Sequence, residues 1–198
     1  MLQQVLVIHG GDAFNSYEEY LADLRSSVVH LGRMKPGGWK MDLQKNLGEG
    51  FDVYHPSMPN ARNAKYGEWK IWFAKIVPLM ADEVILVGHS LGGIFLAKYL
   101  SEETVPKRIR ATFLVAAPFN TPTEHPFADF ILPNDLGGLQ RQGGKIFAYH
   151  STDDVVVPYS NMESYYAALP EATFRSFTDR GHFNQNRFVE IEDDIRSV

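Results

Sequence analysis

Residues 83–100, EVILVGHSLGGIFLAKYL, decide the fold of this chain. The segment begins with a short apolar run at residues 84–87, rich in β-branched side chains, which is typical of a strand buried on both faces. A Gly-x-Ser-x-Gly motif follows at residues 88–92, and a mostly apolar segment with helix-compatible spacing comes directly after it. A strand, this motif and a helix in direct succession predict a nucleophile elbow, a tight turn that holds Ser90 in a strained conformation with its Oγ exposed.

The composition is typical of a water-soluble globular protein of 198 residues, so we expect one domain spanning residues 1–198. The net charge of -5 argues against a nucleic-acid-binding surface. The chain has no cysteine, which excludes disulfides and cysteine nucleophiles and fits a reducing compartment such as the cytoplasm. No apolar run reaches the roughly 18 residues of a membrane span, so we expect no transmembrane segment.

Predicted strands and helices alternate along the chain. The apolar runs predict about six strands, over residues 4–9, 51–55, 83–87, 109–116, 145–150 and 173–177. Helical patterns occupy residues 17–31, 66–80, 161–169 and 188–198, together with the segment from the elbow to about residue 103. This alternation predicts a compact α/β fold, with a mainly parallel sheet and helices on both faces. In such sheets, reactive groups lie beyond the carboxyl ends of the strands.

Three residues beyond predicted strand ends form a candidate catalytic triad. A serine hydroxyl is a weak nucleophile unless a base takes its proton, and that base needs a third group to orient it. In a nucleophile-elbow fold the acid and the base follow the serine in the order Ser, Asp, His. Asp154 follows the fifth strand and His182 follows the sixth. We therefore predict Ser90 as nucleophile, His182 as base and Asp154 as the orienting acid.

Two other acids are alternatives for the orienting position. Asp153 directly precedes Asp154, but an acid followed by a short apolar run and Pro158 favours Asp154, which leaves Asp153 as a turn residue that caps locally. Asp179 stands just before His182 and is more typical of a solvated turn.

The oxyanion of an acyl-transfer reaction needs two backbone N–H donors. One is expected from Leu91, directly after the nucleophile at a helix N-terminus. The other is expected from the loop after the first strand, where Gly11 is favoured and Asp12 remains open. The loop lacks the G-x-G-x-x-G spacing of a phosphate-binding turn, and no histidine or carboxylate cluster has the spacing of a metal site. We therefore predict no metal and no cofactor.

The segment 119–143 has no clear period and contains several prolines and aromatic residues. Phe119, Phe127 and Phe130 follow the fourth strand at its reactive end, so they are candidate substrate contacts in a small apolar lid. A hydrophobic patch beneath an ordinary loop is the alternative interpretation. The other histidines are assigned structural roles: His9 is expected to shape the oxyanion loop, and His89 to point into the fold.

The motifs taken together resemble the α/β-hydrolase superfamily. The sequences GHSLGG at residues 88–93, STDD at 151–154 and FTDRGHF at 177–183, with SMPN at 57–60, resemble the small serine hydrolases related to retinoblastoma-binding protein 9. The resemblance covers most of the chain from residue 51 onward. It implies a compact hydrolase that lacks the first two strands of the larger fold, with Ser90, Asp154 and His182 at the family's triad positions.

The sequence therefore predicts a serine hydrolase that cleaves esters, thioesters or amides of small to medium acyl groups through an acyl-enzyme. Its expected partner is a small-molecule acyl substrate. The alternative is a non-catalytic binding module on the same scaffold, because a fold does not fix a function. An acyltransferase or lyase reaction on the same triad is a third possibility. The substrate's identity and the oligomeric state stay open.

Overall fold

A parallel β-sheet forms the centre of the computed structural model, which describes residues 2–29, 31, 37–120 and 127–198. The sheet has six strands in the order β2-β1-β3-β4-β5-β6, and each neighbouring pair is parallel. The strands are β1 (Gln3–Ile8), β2 (Phe51–Tyr54), β3 (Glu83–His89), β4 (Arg108–Val115), β5 (Lys145–Ser151) and β6 (Thr173–Phe177). The predicted α/β architecture is confirmed.

Helices cover both faces of this sheet, as the apolar character of the strands requires. They are α1 (Tyr17–Ser26), α2 (Trp39–Leu47), α3 (Tyr66–Ile76), α4 (Leu91–Glu102), α5 (Gly137–Gln142), α6 (Ser160–Ala168) and α7 (Val189–Arg196). Successive strand residues point to opposite faces. Leu6 and Leu86 belong to a buried cluster with the inward side chains of α3, α4 and α6, whereas Val5 and Ile85 belong to a second cluster with those of α2 and α7.

The first helix is shorter and more exposed than its sequence pattern predicts. Ser16 caps its N-terminus, because Ser16 Oγ accepts the N–H of Glu19 at 3.1 Å, and the Glu19 carboxylate accepts the N–H of Asn15. However, α1 ends at Ser26, and none of its residues is buried. The apolar spacing that continues to Leu31 therefore does not mark a helix face packed on the core.

The third helix also ends early, and the cause is a proline. Instead of continuing to residue 80 as predicted, α3 ends at Ile76 and a 3-10 turn, Val77–Leu79, follows it. Pro78 lacks the N–H that an α-helix would donate to the carbonyl of residue 74, and its ring crowds that carbonyl, so the α-helical pattern stops there. Two aromatic residues of α3, Trp69 and Phe73, are fully buried, whereas Trp72 is 44% exposed.

The segment 119–143 is not irregular throughout. Residues 121–126 lie outside the described residues, so the predicted lid is described only in part. Its later part contains the short helix α5, which the sequence pattern misses because two glycines, poor helix formers, open it. Leu139 of α5 is fully buried against the core.

Strand β2 lies at one edge of the sheet, and a side chain covers its outer backbone. Gln44, on α2, donates from its amide nitrogen to the carbonyl of Phe51 at 3.0 Å. Its amide oxygen accepts the N–H of Val53 at 2.8 Å. The Gln44 side chain thus satisfies one backbone donor and one backbone acceptor on the side of β2 that faces away from β1. Among the described residues, no helix is long and apolar enough to cross a bilayer.

Candidate active site

Ser90 occupies a sharp turn between β3 and α4. Its backbone has φ 55° and ψ -123°, a conformation that L-residues rarely adopt, and its N–H donates to the carbonyl of Val115 at 2.8 Å. The glycines of the motif are required by close backbone contacts. A Cβ at Gly88 would lie 2.5 Å from the carbonyl oxygen of Gly92, and a Cβ at Gly92 would collide with the carbonyl oxygen of Ile8. This strand–turn–helix geometry is the predicted nucleophile elbow.

His182 and Asp154 are brought together by the loops after β6 and β5. His182 Nδ1 lies 2.8 Å from Asp154 Oδ2, and the Asp154 side chain is fully buried. The other carboxylate oxygen, Oδ1, accepts the N–H groups of Val156 at 2.8 Å and Val157 at 3.0 Å. Because both oxygens accept, Nδ1 of His182 carries a proton, and in the neutral ring Nε2 is then the acceptor.

The charge on Asp154 is stabilised in spite of its burial. Burial alone would raise the pKa of this carboxyl group, but the hydrogen bond and charge of His182 and the N–H groups of Val157 and Val156 hold the pKa below its ordinary value. Asp154 is therefore an anion at neutral pH. His150 lies 3.7 Å from the same carboxylate but binds the carbonyl of Val157 at 2.7 Å, and burial lowers its pKa, so it is a neutral packed residue.

Ser90 and His182 line the same pocket, which has a volume of about 240 Å³. Among the described residues, its other walls are backbone and mostly apolar side chains, from Gly10, Gly11, Asp12, Ala13, His89, Leu91, Pro118, Phe127, Val156 and Val157. Asp154 lies behind His182, outside the lining. The pocket thus brings the predicted nucleophile, base and both favoured oxyanion residues to one place.

Of the three predicted aromatic substrate contacts, Phe127 lines this pocket. Phe130 is instead fully buried in the core, edge-on to Trp69 with ring centroids 5.3 Å apart. Phe119 packs edge-on against Tyr165 at 4.9 Å, and neither Phe119 nor Phe130 lines the pocket formed by the described residues. The structure therefore does not bring Phe119 and Phe130 to the site.

The two candidate donors in the loop after β1, Gly11 and Asp12, differ in what their backbone N–H groups bind. Asp12 is unavailable because its N–H donates to the carbonyl of Ala61 at 2.8 Å, and its own carbonyl accepts the N–H of Ala64. For Gly11, no acceptor lies within hydrogen-bond distance of the N–H in the part of the chain described. Of the two candidates, Gly11 is therefore the one whose N–H is not already bonded within the loop.

His9 fixes the direction of that N–H. Its Nε2 accepts the N–H of Met58 at 2.9 Å, so its Nδ1 carries the proton and donates to the carbonyl of Gly10 at 2.6 Å. Because the peptide between Gly10 and Gly11 is planar and trans, the N–H of Gly11 points away from the carbonyl that His9 holds. Leu91 is the first residue of α4, so its N–H has no acceptor within the helix.

Comparison with known proteins identifies the family of the chain. A family model described as serine hydrolase matches residues 29–190, most of the 198 residues. The chain belongs to the serine hydrolase family. As a member of that family it is a hydrolase enzyme, and the resemblance noted from its motifs is confirmed.

Relatives and solved structures agree with this assignment. Serine hydrolase RBBP9 of Rattus norvegicus is 26% identical to this serine hydrolase, over 84% of this chain and 89% of that protein. The structure of the ydeN gene product of B. subtilis covers 98% of this chain and 97% of its own, with a TM-score of 0.77 and 19% identity. The structure of naproxen esterase from Bacillus subtilis covers 99% of this chain and 83% of its own, with a TM-score of 0.64 and 11% identity. These structural matches confirm the α/β-hydrolase fold.

Asp153 joins the two loops of the serine hydrolase that carry Asp154 and His182. Its Oδ1 accepts the N–H of Gly181 at 2.9 Å and also a short hydrogen bond from Ser151 Oγ. The Ser151 hydroxyl oxygen accepts the N–H of Arg180 at 3.1 Å. The Ser151 and Gly181 bonds lower the pKa of Asp153, so the acceptor is a carboxylate. The sequence predicts that Asp153 caps its own turn. It does not reveal that Asp153 also binds the loop after β6.

Replacing Asp153 with alanine is expected to lower kcat about 10-fold with little change in KM, because the loop before His182 loses its anchor and a small misplacement of a base is costly. Asp153→Asn keeps an oxygen acceptor for the Gly181 N–H and is expected to stay within about threefold of the wild type. Steady-state kinetics of both variants on one ester checks this. Equal activity of Asp153→Ala and the wild type would show that the bridge has no positioning role.

Proposed function

We propose that this hydrolase cleaves ester, thioester or amide bonds of small to medium acyl substrates through a covalent acyl-enzyme on Ser90. The observation that carries the proposal is the convergence of three distant residues. Ser90 and His182 share one pocket, and His182 Nδ1 lies 2.8 Å from the buried Asp154. With Nδ1 bound to Asp154, Nε2 of the neutral His182 ring is free to accept a proton, and this ring lines the same pocket as Ser90. General-base activation of the serine requires a free nitrogen on a base beside it.

The reaction proceeds in two halves. In the first, His182 takes the proton of Ser90 as its Oγ attacks the substrate carbonyl, and Asp154 stabilises the imidazolium that forms. His182 then gives that proton to the leaving alcohol, thiol or amine as the tetrahedral intermediate collapses to an acyl-enzyme. In the second half, water loses a proton to His182 as it attacks the acyl carbonyl. His182 then returns that proton to Ser90 Oγ as the intermediate collapses and releases the carboxylic acid.

Two N–H groups are the proposed stabilisers of the tetrahedral oxyanion. The N–H of Leu91 opens α4, where the partial positive charge of the helix favours an anion. The N–H of Gly11 is supported by its free position and by the His9 bond to the Gly10 carbonyl, which fixes the peptide plane. Donors fixed in advance need no reorganisation when charge develops, so this pair favours acyl transfer.

The size and lining of the pocket support a small acyl group. Its volume of about 240 Å³ is below the roughly 300–1,000 Å³ of pockets that hold drug-sized ligands. Leu91, Phe127, Val156 and Val157 supply apolar walls near the nucleophile. Such a pocket favours short aliphatic or small aromatic acyl groups over long chains.

Two measurements on the wild-type protein test the proposal. A fluorophosphonate probe is expected to label Ser90 covalently, as identified by mass spectrometry of the modified peptide. A panel of p-nitrophenyl esters, thioesters and anilides of increasing acyl length is expected to show turnover that declines for the long chains. A folded protein that resists the probe and turns over no member of the panel would instead support the binding-module alternative. Product analysis with added alcohols separates hydrolysis from acyl transfer.

Replacing Gly11 with alanine is expected to lower kcat about 10²- to 10³-fold, the usual effect of losing one oxyanion donor. The added Cβ would lie 2.6 Å from the carbonyl oxygen of Ala61, so the peptide must move away from its position. Gly50→Ala is a matched control, because no atom lies within 4 Å of a Cβ there. Steady-state kinetics and Tm of both variants check this prediction. A Gly11→Ala enzyme with wild-type kcat would remove Gly11 from the oxyanion site.

A further inference from the structure

A chain of hydrogen bonds connects α2 to the backbone of His182 through the residue beside the nucleophile. His89 Nε2 lies 2.9 Å from the carbonyl oxygen of His182. Because a carbonyl can only accept, this nitrogen carries the proton, and a neutral ring then has Nδ1 as an acceptor. Lys40 Nζ lies 3.1 Å from that Nδ1 and is its donor. Lys40 thus fixes the tautomer in which His89 holds the carbonyl of His182.

The start of α2 also binds the loop that carries His182, at two further backbone carbonyls. The indole N–H of Trp39 donates to the carbonyl of Phe183 at 2.9 Å, and the backbone N–H of Trp39 donates to that of Gln185 at 3.1 Å. The Trp39 ring also meets His89 edge-on, with centroids 6.3 Å apart. The loop that carries His182 is therefore held through its backbone by His89 and α2, and through its imidazole by Asp154.

Lys40 has two contacts at this place, its hydrogen bond to His89 and a cation–π contact with the Trp39 ring, whose centroid lies 5.4 Å from Nζ. Burial lowers the pKa of its ammonium group to about 8, and within the described residues no Asp or Glu forms an ion pair with it. Its other titratable neighbour, His55, has a pKa lowered by burial and by the charge of Lys40. Because the pKa of Lys40 is lower in the folded than in the unfolded chain, its charged form opposes folding at pH 7. A residue that lowers stability beside a reactive centre is typical of a functional requirement.

We propose that His89 and Lys40 are positioning residues, which set the distance between Ser90 and His182 by tying the backbone of the base to the residue adjacent to the nucleophile. The inference rests on the proposed function of Ser90 and His182 and deepens it. Asp154 orients the imidazole ring, whereas His89 fixes where the main chain that carries the ring is placed. Lys40 acts one step further away, by keeping the Nε2 proton of His89 directed at the carbonyl.

The first test compares two variants of His89. His89→Met removes the donor and is expected to lower kcat about 10- to 100-fold, in the range that a misplaced catalytic group costs. His89→Gln places an amide N–H₂ near the position of Nε2 and is expected to restore kcat to within about threefold of the wild type. Equal losses in both variants would overturn the assignment, because they would show that the imidazole ring itself, and not its hydrogen-bond donation, matters.

The second test uses Lys40, which does not line the pocket and is more tolerant of change. Lys40→Met is expected to lower kcat about fivefold at unchanged KM, with a Tm at pH 7 equal to or above that of the wild type. A merely structural role predicts the opposite pattern, with a lower Tm and unchanged kcat. Lys45→Met makes the same chemical change at an exposed position of α2 and is expected to alter neither quantity.

The outcomes distinguish this inference from the proposed function. If fluorophosphonate labels Ser90 and the wild type turns over esters, but His89→Met and Lys40→Met keep wild-type kcat, the positioning inference is wrong and the proposed function stands. If the wild type neither reacts with the probe nor turns over substrate, the proposed function itself fails. A correlated loss in labelling rate and kcat for the two methionine variants, with rescue by His89→Gln, supports the positioning role.

Discussion

Ser90→Ala is expected to lower kcat about 10⁴- to 10⁶-fold while the protein keeps its fold and its Tm. The variant lacks the only atom of the residue that could form the acyl-enzyme. Stability should be unaffected because alanine adopts φ 55° at no greater cost than serine, and the backbone bond from residue 90 to Val115 is retained. Burst-phase and steady-state kinetics with a p-nitrophenyl ester, beside a thermal melt, measure both quantities.

A matched serine variant makes the Ser90→Ala result specific. Ser160 is an exposed serine at the start of α6, and Ser160→Ala is expected to leave both kcat and fluorophosphonate labelling unchanged. If Ser90→Ala were to turn over esters at the wild-type rate, hydrolysis would occur elsewhere in the protein. The pocket at the elbow would then be a binding site.

Asp154→Asn is expected to lower kcat about 10⁴-fold, which is the second largest effect. In this variant the amide oxygen would still accept the N–H groups of Val156 and Val157, because both donors need an acceptor. The amide N–H₂ would then face His182 Nδ1 and force the other tautomer, in which Nε2 carries a proton. An imidazole in that form cannot take the proton of Ser90.

The neighbouring acid supplies the control for Asp154→Asn. Asp153→Asn makes the same substitution one residue earlier. There the oxygen that accepts the Gly181 N–H is retained as the amide oxygen. We expect a difference of at least about 10³-fold in kcat between the two variants on the same ester. Similar kcat values would mean that Asp154 does not orient the base and that the acid had been assigned incorrectly.

The parts of the site that follow from local pattern could be predicted from the sequence. The elbow is contained in a few consecutive residues; Gly88 is required by contacts within the same strand–turn–helix unit, and Gly92 by the close approach of the end of β1. Asp154 and His182 could be located because both follow apolar strands, and the carboxyl ends of parallel strands meet at one edge. The preference for Gly11 likewise came from its place directly after β1.

The remaining features depend on contacts between residues far apart in the chain. Asp12 is excluded as a donor by Ala61, and the partner of Lys40 is His89, 49 residues away. Periodicity shows which residues share a helix face, but not whether anything covers that face, so the spacing over residues 17–31 does not reveal that α1 has no buried residue. For the same reason the pattern did not separate Phe127, which lines the pocket, from Phe130, which fills the core.

The amide of Gln44 on the outer side of β2 has a consequence for how copies of this protein meet. An unprotected edge strand is a template onto which an extended segment of another molecule can add, and such addition leads to aggregates. Here a foreign strand would have to displace both hydrogen bonds of one side chain before it could pair with Phe51 and Val53. Growth of the sheet between molecules is thereby disfavoured at this end, with no proline or bulge needed in the strand itself.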